Sequence, residues 1–178
     1  ALFSDMEFLW IDLFIVMPIA FVSEYTGPYD KLSRKRPVAS LMGWNVISSL
    51  ILQNIVNLFF QAFAFYLLHQ QDWFVPLTIN PDSDNSDCAE VTTIFVVANF
   101  QYIFSVLAFS VGKPFRKSFY TNYAYVITTI ILLILNSILL LYPPEFVLSW
   151  FEMVDLETSF KRWLFVLVII NGICVIVV

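Results

Sequence analysis

The stretch SFYTNYAYVITTIILLILNSILLLYPP, residues 118–144, runs for twenty-seven residues without a charged side chain. A helix rises about 1.5 Å per residue, so about 20 apolar residues cross a bilayer core about 30 Å thick. This run is long enough to cross. Working outward from it, further uncharged runs cover residues 38–68, 91–112 and 163–178. Hydrophobic residues make up 60% of the 178-residue chain and charged residues 13%, against about 25% charged in an ordinary soluble domain. A soluble helical fold exposes one face of most helices and has no way to hide such runs. The chain therefore reads as an all-α membrane protein. Its first apolar stretch follows acids and has no basic region before it, which excludes a secretory signal.

Five transmembrane helices are expected, over about 5–23, 44–68, 91–111, 120–142 and 160–178. The loop at 24–43 carries Lys31, Arg34, Lys35 and Arg36, and the loop at 112–119 carries Lys113, Arg116 and Lys117. By contrast, the loop at 69–90 holds five acids and no base, and the loop at 143–159 holds four acids and no base. Lys and Arg collect in short cytoplasmic loops. The 24–43 and 112–119 loops are thus expected in the cytosol, and the N-terminus and the two acidic loops on the luminal or exterior side. Lys161 and Arg162 alone run against the pattern, as long basic side chains do when they snorkel. Trp44, Trp73, Tyr120, Tyr123, Tyr125, Tyr142, Trp150 and Trp163 fall near the expected span ends, where amphipathic rings prefer to sit.

An odd number of spans, a luminal start and the lack of an initiator Met predict the C-terminal piece of a longer membrane protein. The chain has no GxxxxGK[ST] loop, GxGxxG, HExxH or aspartyl-phosphorylation signature, so chemistry driving a parent protein is expected elsewhere. Cys88 and Cys174 lie in a polar loop and the last span and form no metal-binding spacing. His69 reads as a solvated interfacial ring. No metal, cofactor or nucleic acid is expected for this segment.

Within FLWIDLFIVMPIAF, residues 8–21, the only charge is Asp12. An ionised Asp at a helix centre costs about 2.5–3.5 kcal/mol on insertion scales. Such an acid faces a bundle interior or a watery cavity, pairs with a cation, or stays protonated. Asp5 precedes Asp12 by seven residues, two helical turns, and Phe8 lies between them on the same face. Two carboxylates about 10 Å apart along the axis with a ring between them suit an elongated cation bearing spaced amines. A bare metal ion instead wants several oxygens within about 2.6 Å, and the ring adds a cation–π surface. Asp5 also reads as an interfacial acid stabilised by the helix dipole, and Glu7 reads the same way on another face. Asp12 also reads as a protonated or ion-paired structural acid. Pro18 removes the hydrogen bond to the Phe14 carbonyl and predicts a kink. Gln53, Asn54, Asn57, Asn99, Gln101, Asn136 and Ser137 read first as hydrogen-bonding groups between helices.

Four stretches carry a family resemblance: FLWIDL at residues 8–13, TGP with RKRP at 26–28 and 34–37, QDWFVPL at 71–77, and FQYIFSVLAFSVGKPFRKSFYTNY at 100–123. The chain resembles the C-terminal membrane region of type V P-type ATPases, in the branch that exports polyamines from late endosomes and lysosomes. The resemblance implies helices six to ten of a ten-helix core, the sixth starting on the luminal side. It implies that Asp12 is the acid of an FxxxD motif holding a substrate amine, with Phe8 one turn before it and Asp5 near the luminal mouth. ATP and Mg are implied for the parent, and polyamine is the implied partner. Lys113, Arg116 and Lys117 are expected to meet anionic lipid or a cytosolic domain. Two alternatives stand beside this: the sister branch, which extracts misinserted helices in the endoplasmic reticulum, and a non-catalytic membrane scaffold.

Overall fold

The structure is a computed structural model that describes residues 3–31, 43–76, 88–110 and 115–177. Arg34, Lys35, Arg36, Lys113 and much of the first acidic loop lie outside the described residues. Among the described residues, five helices are long and apolar enough to cross a membrane. The first span covers Asp5–Ser23, the second Trp44–His69, the third Ala89–Phe109, the fourth Tyr123–Leu141 and the fifth Thr158–Val177.

Local chemistry sets the starts of three spans. Ser4 and Glu7 form a capping box at the first: the Glu7 N–H donates to Ser4 Oγ at 3.3 Å and the Ser4 N–H to Glu7 Oε2 at 3.1 Å. Cys88 Sγ accepts from the Val91 N–H at the third. Asn122 Oδ1 accepts from the Tyr125 N–H at 3.1 Å at the fourth. Two prolines, Pro143 and Pro144, follow the end of the fourth span. Pro144 is the N-cap of a short helix, Glu145–Phe151, inside what the sequence presents as a luminal loop. That helix closes on Glu152 in the left-handed region, φ 55°. Phe151 then packs edge-on against Trp10, ring centroids 5.6 Å apart.

The third span is the axis of the bundle. It packs against the second, fourth and fifth spans and against the middle of the first, and is buried from Val91 through Ile103 over most of its surface. A larger core joins Phe95, Phe100, Leu164 and Val168 with Leu68 and Phe151. A smaller one joins Ile15 and Ile19 of the first span to Ile103, Tyr125 and Leu132. The second span is the most peripheral, with nearly all of its length on the outside. Between helices in lipid, van der Waals packing and hydrogen bonds replace the hydrophobic effect as the cohesive terms. The fifth span accordingly brings Gly172 so close to the third that a Cβ there would sit 2.7 Å from the Phe104 ring.

A carboxamide layer crosses this packing near mid-span. Asn57 Nδ2 donates to Ser105 Oγ at 3.1 Å, Gln101 Nε2 to the Asn57 carbonyl at 2.8 Å, and Asn171 Nδ2 approaches Asn57 Oδ1 at 3.4 Å. These groups join the second, third and fifth spans, and Asn171 was not among the residues expected to do so. Asn54, Asn136 and Ser137 instead bond carbonyls one turn back on their own helices. Among the described residues, neither Asn99 side-chain polar atom has a hydrogen-bond partner.

Candidate functional site on the first span

The first span is not a uniform α-helix. Asp5–Leu9 and Met17–Ser23 are α-helical, and Trp10–Val16 between them is π-helical. The Met17 N–H donates to the Asp12 carbonyl, five residues back. In an α-helix that N–H would serve Leu13, and in a π-helix the donor for Leu13 would be Pro18, which has none. The Leu13 carbonyl thus loses both helical donors. Ahead of Pro18, where a kink is expected, the structure has a widened segment, Trp10–Val16, that contains the acid.

The three residues read as a stripe are all exposed on one side of this helix: Asp5, Phe8 and Asp12. Phe8 is 51% exposed, its ring edge-on to Phe3 with centroids 5.4 Å apart. Among the described residues, no side chain pairs with Asp5 or Asp12. The opposite side, Ser4, Glu7, Ile11, Ile15 and Ile19, faces the bundle and is buried. The stripe therefore points away from the other four spans, with a carboxylate at Asp12 beside a Leu13 carbonyl that lacks both helical donors. Hydrogen-bond acceptors with net negative charge suit an ammonium group, which carries three N–H donors.

Glu7 differs from its reading as an interfacial acid. It is 1% exposed, with one oxygen in the capping box and Oε1 without a hydrogen-bond partner. The sequence places Glu7 off the Asp5–Asp12 face, but both faces are apolar elsewhere, so the pattern does not say which acid turns inward. His69 is not simply solvated either: its Nδ1 lies 2.9 Å from the Phe65 carbonyl and its Nε2 3.4 Å from Glu90. Among the described residues no group of three His, Cys, Asp or Glu side chains is placed to hold a metal ion. At the other end of the span, Arg116 and Lys117 line a cavity with Ser23 and Thr26.

Five apolar helices among the described residues, with an exposed acid inside the first of them, describe a membrane-spanning bundle. The sequence matches the family described as "Cation transporting ATPase, C-terminus" over residues 1–178, and the chain belongs to that family. It is 35% identical over 172 residues to the human "Polyamine-transporting ATPase 13A2", covering 94% of this chain and 14% of that protein. It is 28% identical over 191 residues to the human "Polyamine-transporting ATPase 13A3", covering 95% and 16%. With the "Vacuolar cation-transporting ATPase YPK9" of Saccharomyces cerevisiae it shares 27% over 169 residues, covering 94% and 11%. The chain thus spans less than a fifth of the length of these relatives, and they fit the C-terminal region of a type V P-type ATPase.

Proposed function

We propose that the chain is the membrane C-terminus of an ATP-driven polyamine transporter and that its first span forms one wall of the substrate path. Asp12 holds a substrate amine, Phe8 packs against the methylenes or the cation, and Asp5 receives the molecule near the mouth. The observation that carries this reading is the Asp12 carboxylate, within a membrane span, unpaired among the described residues and set in a π-helical segment. An ionised group there needs a counter-charge, and an amine-bearing guest supplies one. The outward aim of the stripe fits a wall that helices of the parent protein close from the other side. Relatives named as polyamine-transporting ATPases support the substrate class. The charge pattern of the loops supports a luminal N-terminus, and the family resemblance supports transport from lumen to cytosol in late endosomes or lysosomes. Mg and ATP act on cytosolic domains of the parent.

Asp12→Asn in the intact ATPase keeps the shape and removes the charge. Losing a hydrogen bond to a charged group costs about 1.5–3 kcal/mol, so the spermine concentration for half-maximal ATP turnover rises by about tenfold or more. Glu24→Gln, beyond the end of the same span, leaves it unchanged. An Asp12→Asn protein that folds and responds to spermine as wild type does would take the residue out of the substrate path.

A further inference from the structure

We propose a binding site for an anionic phospholipid at the end of the bundle opposite the Ser4 cap, with Arg116 as its principal headgroup ligand. Two adjoining cavities make the site. The first, about 370 Å³, is lined by Ser23, Thr26, Ser110, Arg116, Lys117 and Tyr125, with Phe119 at its edge. The second, about 230 Å³, is lined by Leu107, Val126, Thr129, Ile130 and Ile176. Phe119 and Tyr125 line both, so they are the shared wall between a charged chamber and an apolar furrow.

The chamber's donors can be counted. Ser23 Oγ donates to the Ala20 carbonyl and Ser110 Oγ to the Val106 carbonyl, so both hydroxyl protons are committed. The Tyr125 hydroxyl lies 2.8 Å from Ser110 Oγ and completes that pair by donating to it. Thr26 Oγ1 accepts from Asn122 Nδ2 at 3.1 Å, leaving its own proton available. Lys117 Nζ lies 3.0 Å from Asp30 Oδ1, so part of its charge is offset. The Arg116 guanidinium pairs with no described residue and offers five N–H donors in a fork suited to phosphate. The backbone bearing these cations is pinned: the Lys117 N–H donates to the Gly27 carbonyl at 3.0 Å and the Tyr29 N–H to the Phe115 carbonyl at 3.1 Å. These bonds flank an antiparallel bridge between Pro28 and Arg116.

The furrow decides between a lipid and a free anion. Tyr125, Val126, Thr129 and Ile130 descend the fourth span for more than one turn from its start, away from the charged end and into the hydrocarbon. A soluble phosphate has no use for that apolar continuation, whereas a phospholipid fills both parts, headgroup in the chamber and acyl chain in the furrow. Under the sidedness proposed above, this end meets the cytosolic leaflet, where anionic lipids concentrate.

The test uses the intact ATPase, delipidated in detergent and read by native mass spectrometry with dioleoylphosphatidic acid, dioleoylphosphatidylcholine or inorganic phosphate. Wild-type protein retains phosphatidic acid over phosphatidylcholine. Arg116→Gln lowers that retention by about fivefold, the effect expected of one basic residue near a membrane surface. Ile130→Trp, on an exposed face, fills the furrow and lowers retention with the chamber intact, while Arg162→Gln changes nothing. Equal retention by wild type and Arg116→Gln overturns the site. Displacement of phosphatidic acid by inorganic phosphate, or indifference to Ile130→Trp, overturns the lipid assignment in favour of a soluble anion.

Discussion

A lysine only 6% exposed is rare in any fold, and rarer in a helix that crosses a bilayer. Lys161 stands in the first turns of the fifth span with its ammonium ion-paired to Asp155. Asp155 lies in the preceding loop and stays largely open to water. The pair explains why a basic residue sits at the acidic end of the bundle, where the loop charges alone argue against it. Asp155→Asn leaves a buried ammonium without its counter-charge and is expected to cost about 1–3 kcal/mol, read as a lower thermal midpoint in detergent. Replacing Lys161 with Met in the same protein restores the midpoint, because a buried charge then no longer needs a partner. A single Asp155→Asn protein that melts as wild type does would mean the ammonium finds its solvation elsewhere. At this scale the sequence was partly legible. The seven-residue spacing of Asp5 and Asp12 predicts one helical face, and both residues are exposed in the structure. The inward turn of Glu7 depends on Ser4 and Phe151, the latter remote in sequence: Ser4 Oγ donates to the Phe151 carbonyl at 3.1 Å, and no local pattern encodes that.

Among the helices, the first span alone changes its hydrogen-bond register partway along the described residues, over Trp10–Val16. The sequence supplies half the reason, since Pro18 has no N–H to donate. Whether the ladder bends or widens depends on packing, and here Ile11 and Ile15 are held in separate cores on either side of the acid. Pro18→Ala returns the missing donor, and the expected outcome is an α-helical Trp10–Val16. Slower amide hydrogen exchange over that segment in the intact ATPase would register the change. It would also turn Asp5 and Phe8 relative to Ile19 and weaken the spermine response. Unchanged exchange would assign the π-helical segment to the isoleucine packing alone. The short helix Glu145–Phe151 was hidden for a different reason. Its seven residues are too few to display a helical period, and the prolines before them announce only a turn.

For the molecule as a whole, long uncharged runs make the number of spans readable, because a bilayer imposes length on any helix that crosses it. Which span lies at the centre is not readable in that way. The second and third spans have similar hydropathy, yet the second is outermost and the third is buried. Small and polar residues decide it, above all Gly172 against Phe104 and the Asn57, Gln101 and Asn171 layer. Gly172→Val forces the Phe104 ring aside and is expected to destabilise the bundle by about 1–3 kcal/mol. Phe104→Leu in the same protein recovers part of the loss; a thermal midpoint unmoved by Gly172→Val would show that the ring yields freely. The far end of the first span is fastened differently from its start. Asn122 Nδ2 donates to the Val22 carbonyl at 2.7 Å, tying the last turn to the head of the fourth span. A rod held at both ends, by Ser4 on the Phe151 carbonyl and by Asn122 on the Val22 carbonyl, does not slide as a piston; it flexes between them. Any displacement of the span is then greatest along the π-helical Trp10–Val16 and smallest at its two fastened ends.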